Sequence, residues 1–379
     1  MAPRNPDIIV IGGGIAGCAA AYYLSKEGAS VALFEKDAVA SHASGFAFGG
    51  ILTRGGVGEG HPLHGLSIAA DRLHSSLEKS LVDESGVDPE YVKRAAVFLA
   101  MSEADAQSSR AAYEQHLRSP AMGQADLRWL GRGELSHVEA RIGPKILGGL
   151  YDGEAHEVEP YKLTLGLWQA AERRGARLVN RAVTGITRTG GKVTGVQAGA
   201  DKFSAGAVVI ANGPWASEAG AWLGVPIPIT PLKGQILRLQ APEPPMTVSF
   251  WWGGDYAASK PDGLLWAGTT EEYSGFDEGT TAAARDKITG SLVEALPYLR
   301  DARLVKQTAC LRPLSADRLP IIGCVPGIDG AVVVTGAGRN GIELGPAMGR
   351  AAADIALGRT PDFDVSALGL DRFQPDSHR

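Results

Sequence analysis

Hydrophobic and polar positions near the N-terminus switch between two periods. Residues 8–11, Ile-Ile-Val-Ile, form a short β-branched run that predicts a strand buried on both faces. Residues 15–26 carry helical spacing, with Gly28 placed to end the helix. Residues 30–34 predict a second strand. Helical periodicity returns over 66–85 through Ile68, Leu73, Leu77 and Leu81. Residues 92–101 read as strand, 103–117 as a charged surface helix with Ser102 as N-cap, and 132–141 as a short helix. Residues 148–157 read as a turn-rich return, after which Pro160 opens a helix running to about 175. Strands follow at 177–179 and 182–186. Gly190-Gly191 predicts a hairpin to 193–196, and 207–211 predicts a buried strand. From 225 to 273 the pattern is mostly β, with strands at 235–239, 246–252, 256–259 and 264–268 and a Pro-Asp-Gly turn at 261–263. A helix over 281–296, a strand over 331–335 and a helix to about 357 complete the pattern.

Between the first strand and helix, Gly12, Gly14 and Gly17 have GxGxxG spacing. The first glycine suits a tight turn, the second a close backbone approach to a pyrophosphate, and the third close helix–strand packing. Ile15 and Ala16 open the helix, whose N-terminus offers free N–H groups and partial positive charge to a diphosphate. Glu35, with Lys36 after it, ends the second strand where an acid for a ribose hydroxyl is expected. Strand, glycines, helix, strand and acid in this order make a specific signal for a bound dinucleotide. Ser41, Ser44, Gly49 and Gly50 lie in a loop of small and hydroxyl residues. Such a loop suits passage over a diphosphate or an isoalloxazine ring, or is an ordinary turn-rich connection. Ala211, Gly213 and Trp215 follow the strand at 207–211 and place a second backbone turn beside a cofactor.

The chain has 379 residues, 44% apolar and 21% charged, as in an ordinary soluble globular protein. Its net charge of −5 argues against nucleic acid as a partner. No apolar run is long enough for a transmembrane span or a signal segment, and the three cysteines Cys18, Cys310 and Cys324 lack metal spacing. A reducing, cytoplasmic setting and no metal site are expected. His42, His74, His116 and His137 read as solvated or core histidines.

A second GxGxxG occurs at Gly336, Gly338 and Gly341. No strand ending in an acid can follow it before the chain ends, so a second dinucleotide is not expected. The helix start near 338–342 instead aims its dipole at a ring that becomes negative.

Taken together, the N-terminal fingerprint, Ala211-Asn212-Gly213-Pro214-Trp215, residues 311–323 (Leu-Arg-Pro-Leu-Ser-Ala-Asp-Arg-Leu-Pro-Ile-Ile-Gly) and Arg339-Asn340-Gly341-Ile342 resemble the D-amino-acid oxidase/glycine oxidase family of flavoproteins. That resemblance implies an α/β fold: a Rossmann-like FAD domain interrupted by an antiparallel substrate domain. The FAD domain is expected at 1–80, 148–222 and 305–379, and the substrate domain at 81–147 and 223–304. It implies FAD on Gly12, Gly14, Gly17 and Glu35, with Val183, on a strand, meeting the adenine side and Gly338, Arg339, Asn340, Gly341 and Ile342 meeting the flavin. Arg312 matches the family's carboxylate-binding arginine, and Tyr256 its substrate-site tyrosine. Arg339 matches a residue whose backbone carbonyl meets the substrate amine. The alternative for Arg312 is a surface arginine paired with Asp317. Cys310 falls where sarcosine oxidases bond flavin covalently. Those enzymes lack the arginine, so a free buried thiol and noncovalent FAD are expected.

The implied activity is oxidative deamination of a small amino acid or N-methyl amino acid, with oxygen or a quinone as final acceptor. A homo-oligomer is compatible with this. A 2-hydroxy-acid dehydrogenase on the same fold and a noncatalytic FAD-binding subunit are the alternatives.

Overall fold

The computed structural model describes residues 5–52, 60–118 and 126–374. Among these, the strands gather into two large sheets. The first has the order Ile321–Cys324, Ala331–Thr335, Ala207–Ile210, Ile8–Ile11, Val31–Glu35, Arg177–Asn180. All its pairs are parallel except the outermost, Ile321–Cys324 on Ala331–Thr335. The β-branched run at the N-terminus explains its central place. Ile8 and Val10 enter one hydrophobic core and Ile9 and Ile11 the other, so the strand is covered on both sides.

Helix Ile15–Lys26 returns over this sheet and ends before Gly28, whose φ of 86° needs no Cβ. Helix Gly341–Ala356 lies directly on it. A Cβ at Gly349 would stand 2.4 Å from Ala19 Cβ and 2.7 Å from the Ala16 carbonyl, so the close crossing depends on small residues.

The second sheet has eight strands, in the order Arg303–Ser315, Ile229–Gln240, Leu265–Gly268, Asp255–Ser259, Ser249–Trp252, Ala96–Ala100, Gly148–Asp152, Leu127–Gly131. Its pairs are antiparallel save Ser249–Trp252 with Ala96–Ala100. Period-two alternation divides its faces. Leu237, Phe250, Trp252 and Ala257 pack against helix Ala282–Ala295. Ile236, Tyr256, Ala258 and Trp266 face the other way, where Phe48 and Trp251 join them.

Several expectations need correction. Residues 148–157 are not a loose return: Gly148–Asp152 is an interior strand of the antiparallel sheet, and His156–Glu157 pairs with Gly50–Ile51. Two glycines, Gly148 and Gly149, hid its alternation. The division at 148 therefore falls inside the antiparallel sheet. Those at 80 and 304 cut helix His64–Ser85 and strand Arg303–Ser315, which are continuous. Val183 precedes strand Gly185–Thr189 rather than lying on a strand. Helix Ala216–Leu223 and strand Asp201–Ser204 were unexpected, being short and weakly patterned. After helix Gly341–Ala356 only short 3-10 turns occur among the described residues.

A buried ion pair ties the end of strand Asp255–Ser259 to the short strand His156–Glu157, which lies outside both large sheets. Lys260 Nζ donates to Glu157 Oε2 at 2.8 Å, Arg94 Nε lies 3.2 Å from the same oxygen, and the ammonium stands 4.1 Å from the Phe48 ring centre. Burial pulls the Lys260 pKa below its ordinary value, and Glu157 opposes that shift. Glu157→Gln preserves shape but leaves two cations without their carboxylate. We expect a loss of about 3–5 kcal/mol in urea unfolding, with little change in m. A loss under about 1 kcal/mol would mean that water already screens the pair.

Candidate cofactor cleft and substrate site

The cleft opens at the carboxyl ends of the parallel strands, above the start of helix Ile15–Lys26. Its floor is held by two contacts that forbid side chains. Gly12 has φ 107°, and a Cβ there would reach the Ala211 carbonyl oxygen at 2.5 Å; one at Gly17 would reach the Gly12 carbonyl oxygen at 2.0 Å. Gly14 differs: its φ is −79°, and its nearest neighbour is the Ser44 hydroxyl at 3.2 Å. Bare backbone at Gly14 is thus not demanded by the protein's own packing. It leaves room for a ligand.

Around this floor the polar groups are arranged for a dinucleotide. Ile15 N–H donates to Ser44 Oγ at 2.9 Å. Glu35 is buried, and its carboxylate accepts from Gly13 N at 2.7 Å and from Asp37 N at 2.8 Å, which fixes it at the cleft wall with lone pairs to spare for hydroxyls. Asn212 lines the cleft with a buried Oδ1 that lacks a partner, while its Nδ2 donates to the Trp215 carbonyl. An orphaned buried acceptor in a ligand-sized cleft fits a bound group that donates to it.

Of the residues singled out from the sequence, Gly12, Gly14, Ile15, Ala16, Glu35, Lys36, Ser41, Ser44, Val183, Ala211, Gly213, Trp215 and Gly341 line this cleft. Gly17 lies beneath it. Gly49 and Gly50 are set apart against Val158 and Trp251, and Ile342 is in the core. Gly338–Asn340 form a 3-10 turn leading into helix Gly341–Ala356.

His42 is not merely solvated. Its Nε2 lies 2.7 Å from Asp37 Oδ2 and its Nδ1 3.0 Å from Glu278 Oε1, so it joins the cofactor loop to the antiparallel domain. Glu35, Asp37 and His42 have ligand atoms within 4.8 Å of one another, but backbone N–H groups already engage both Glu35 oxygens.

The second cluster sits on the antiparallel sheet. Arg312 stands on strand Arg303–Ser315 between Leu311 and Pro313, two residues that line the cleft. Its guanidinium is buried: Nη1 donates to the Thr270 carbonyl at 3.0 Å and Nη2 to Thr269 Oγ1 at 2.7 Å. It lies over Gly234, where a Cβ would meet Nη2 at 2.0 Å. The surface pairing with Asp317 does not occur, because Asp317 holds Arg372 at 2.7 Å. Among the described residues no carboxylate pairs with Arg312.

Tyr256 packs beside it, 4.2 Å from the Phe48 ring and 5.2 Å from Trp251. Burial pushes its phenol up to about 12, against the opposing pull of the Arg312 charge and the Thr269 hydroxyl. Cys310 is buried on the same face as Arg312, and burial raises its thiol pKa while the Arg312 charge lowers it. Arg339 reaches across from the 3-10 turn, with Nη2 donating to the Gly254 carbonyl at 2.6 Å and Nη1 3.3 Å from Glu271. Thr269, Thr270, Gly234 and Glu271 were not foreseen. Hydroxyl and glycine residues around an arginine have no sequence spacing of their own, since pairing across strands brings them together.

A dinucleotide cleft roofed by a sheet that carries a buried, uncompensated arginine defines a two-domain flavin-dependent oxidoreductase. The chain belongs to the DAO family of FAD-dependent oxidoreductases, whose pattern matches residues 7–355. It is 29% identical over 368 residues to the glycine oxidase of Geobacillus kaustophilus, covering 97% of each chain. It is 30% identical over 369 residues to the glycine oxidase of Pseudomonas aeruginosa, covering 94% of this chain and 96% of that one. The crystal structure of glycine oxidase from Geobacillus kaustophilus matches with a TM-score of 0.91 at 28% identity, covering 98% of this chain and all of that one. FAD is the cofactor of this enzyme family, and the cleft fits it. No helix among the described residues is long and apolar enough to cross a membrane.

The glycines separate cofactor binding from folding. Gly14→Val should give a colourless protein with native circular dichroism, because the new side chain enters the diphosphate space and meets only a flexible serine. Gly17→Val should destabilise the fold itself, since backbone blocks the Cβ. Retention of FAD by the Gly14 variant would show that the cradle is misplaced.

Proposed function

We propose that this enzyme oxidises the amine of a small amino acid or N-methyl amino acid, such as glycine, sarcosine or a small D-amino acid. The observation that carries this reading is the Arg312 guanidinium, which is buried, preorganised by Thr269 and Thr270, and unpaired with any described carboxylate. A buried cation of this kind calls for an anion, and a planar guanidinium suits a carboxylate bound through two oxygens.

The residues divide the work. Arg312 binds the substrate carboxylate, with its remaining N–H groups available beyond the two that hold the threonines. Tyr256 presents a neutral hydroxyl beside Thr269, its pKa far above physiological pH. Phe48 and Trp251 wall the site with apolar surface, which favours a small side chain and excludes water. The backbone of Arg339, on the turn at the start of helix Gly341–Ala356, faces the amine. FAD, when bound, supplies the two-electron acceptor for the α-hydrogen. The amine must be neutral for the transfer, and no protein base is needed if it binds so. Water then hydrolyses the imino product to an oxo acid, releasing ammonia from a primary amine and methylamine from an N-methyl amino acid. Position and fixed charge, rather than an acid–base pair, carry the catalysis.

An anaerobic panel of amino acids and amines, read by loss of flavin absorbance with ammonia assayed afterwards, tests this. Bleaching by 2-hydroxy acids without ammonia would favour the dehydrogenase alternative. Bleaching by no substrate would favour a noncatalytic subunit.

Arg312→Ala should weaken substrate binding by about 2–5 kcal/mol, or roughly thirty- to several-thousand-fold in kcat/KM. Turnover should fall as well, because the anchor also aligns the α-hydrogen. Arg312→Lys should recover only part, since a point charge lacks the fork. Equal losses for substrates with and without a carboxylate would assign Arg312 a folding role. Separately, acid precipitation should release all the flavin colour, and Cys310→Ser should change nothing in that assay. Colour that stays with the protein only while Cys310 is present would establish a covalent bond.

A further inference from the structure

A second arginine stands at the rim of the substrate site. Arg339 lies on the Gly254 backbone, where φ is 91° and a Cβ would come within 3.2 Å of Nη1. Its Nη2 holds the Gly254 carbonyl, two residues before Tyr256, and its Nη1 faces Glu271. Glu271 directly follows Thr269 and Thr270, the two residues that hold Arg312. The Tyr256 phenol is within electrostatic reach of both guanidinium groups. Asp255 and Glu272 are engaged by Thr269 N and the Thr270 hydroxyl, so of the neighbouring carboxylates it is Glu271 that pairs with an arginine of the site. Glu271 neutralises Arg339 and leaves Arg312 alone to receive an anion.

We propose that Glu271 is a specificity-determining residue that occupies Arg339 and so restricts the site to substrates with a single carboxylate. This rests on the assignment of Arg312 as the carboxylate anchor. A second ligand carboxylate near the rim meets an arginine already paired and an acid of its own sign. The Arg339–Glu271 pair is partly solvated, with side chains 33% and 34% exposed, so each partner can exchange without the cost of a buried unpaired charge. The pair acts as a charge filter. Removing Glu271 should turn Arg339 into a second carboxylate receptor rather than collapse the rim, because the Gly254 carbonyl still holds it.

The test uses the FAD-loaded enzyme and ligands that need not react. Acetate and malonate are titrated into wild type and Glu271→Gln, with binding read from the flavin difference spectrum. Glutamine keeps the length and an acceptor for Arg339 while removing the charge. The malonate-to-acetate affinity ratio should rise roughly tenfold in the variant, about the worth of one partly exposed charge-assisted hydrogen bond. The double variant Glu271→Gln/Arg339→Met should return the ratio toward that of wild type. A ratio unchanged by Glu271→Gln, or a rise that persists without Arg339, overturns the proposal. Arg312→Ala supplies the separate control. If acetate binds that variant as well as wild type, the anchor assignment has failed. If acetate binding is lost but Glu271→Gln leaves the ratio unchanged, only the charge filter has failed.

Discussion

Burial of the Arg312 guanidinium sets the terms for the chain around it. Taking such a charge out of water costs several kcal/mol unless its donors are satisfied. Two are met by the Thr270 carbonyl and the Thr269 hydroxyl, which are in turn held from the neighbouring strand. Thr269 Oγ1 donates to the Gln235 carbonyl, and Gln235 N donates to Thr270 Oγ1. The Gln235 side chain, fully buried, donates to Glu272 and accepts from Thr281 N and from Gln307. The arginine is thus fixed by a polar network that starts at its own fingers and ends at the cap of helix Ala282–Ala295. The one carboxylate this network reaches through Gln235, Glu272, is turned to the Gln235 amide and the Thr270 hydroxyl, so among the described residues the guanidinium itself has no carboxylate partner, which is the basis for proposing a substrate carboxylate there.

The same face shows how a sheet accommodates large functional side chains. Arg312 lies on Gly234, Tyr256 on Gly268, Trp251 on Gly50, and Arg339 on Gly254. A Cβ at Gly268 would stand 2.7 Å from the Tyr256 oxygen, and one at Gly50 would stand 2.9 Å from Trp251. Gly234 and Gly268 stand in the sheet where cross-strand geometry would otherwise place a side chain, whereas Gly50 lies in a short strand outside it and Gly254 in a turn. The large groups can then lie flat along the sheet instead of projecting from it. This leaves a shallow, aromatic-walled space suited to a small ligand.

Much of this organisation was legible in the sequence. The central strand, the glycine cradle, Glu35 and helix Ile15–Lys26 follow from local chemistry, because each uses neighbours within one strand–helix–strand unit. Thr281 likewise caps its helix through its side chain, and Gly190-Gly191 makes a two-residue hairpin. Arg312 stood out only through its likeness to a family pattern. Its supports did not stand out at all. Gly234 and Thr269 lie far from it in sequence and meet it through the register of three strands. Strand Gly148–Asp152 was missed for a related reason: Gly148 and Gly149 carry no side chain to reveal alternation, yet their lack of Cβ lets Trp129 and Val97 close over them.

The segment between strand Leu265–Gly268 and helix Ala282–Ala295 explains why the two sites are not independent. At one end it provides Thr269, Thr270 and Glu271 to the arginines. Farther on, Phe276 stacks on Trp215 at the cleft, Asp277 pairs with the buried Lys233 at 2.6 Å, and Glu278 meets His42. Lys233 lies next to Gly234, over which the Arg312 guanidinium sits, so even this contact returns to the neighbourhood of Arg312. One short connection therefore carries the groups that orient Arg312 and the groups that fasten the antiparallel domain to the cofactor loop. An insertion or a charge change within it would act on both sites at once. A domain joined to its cofactor half only through long sheet contacts could tolerate such a change at one site alone.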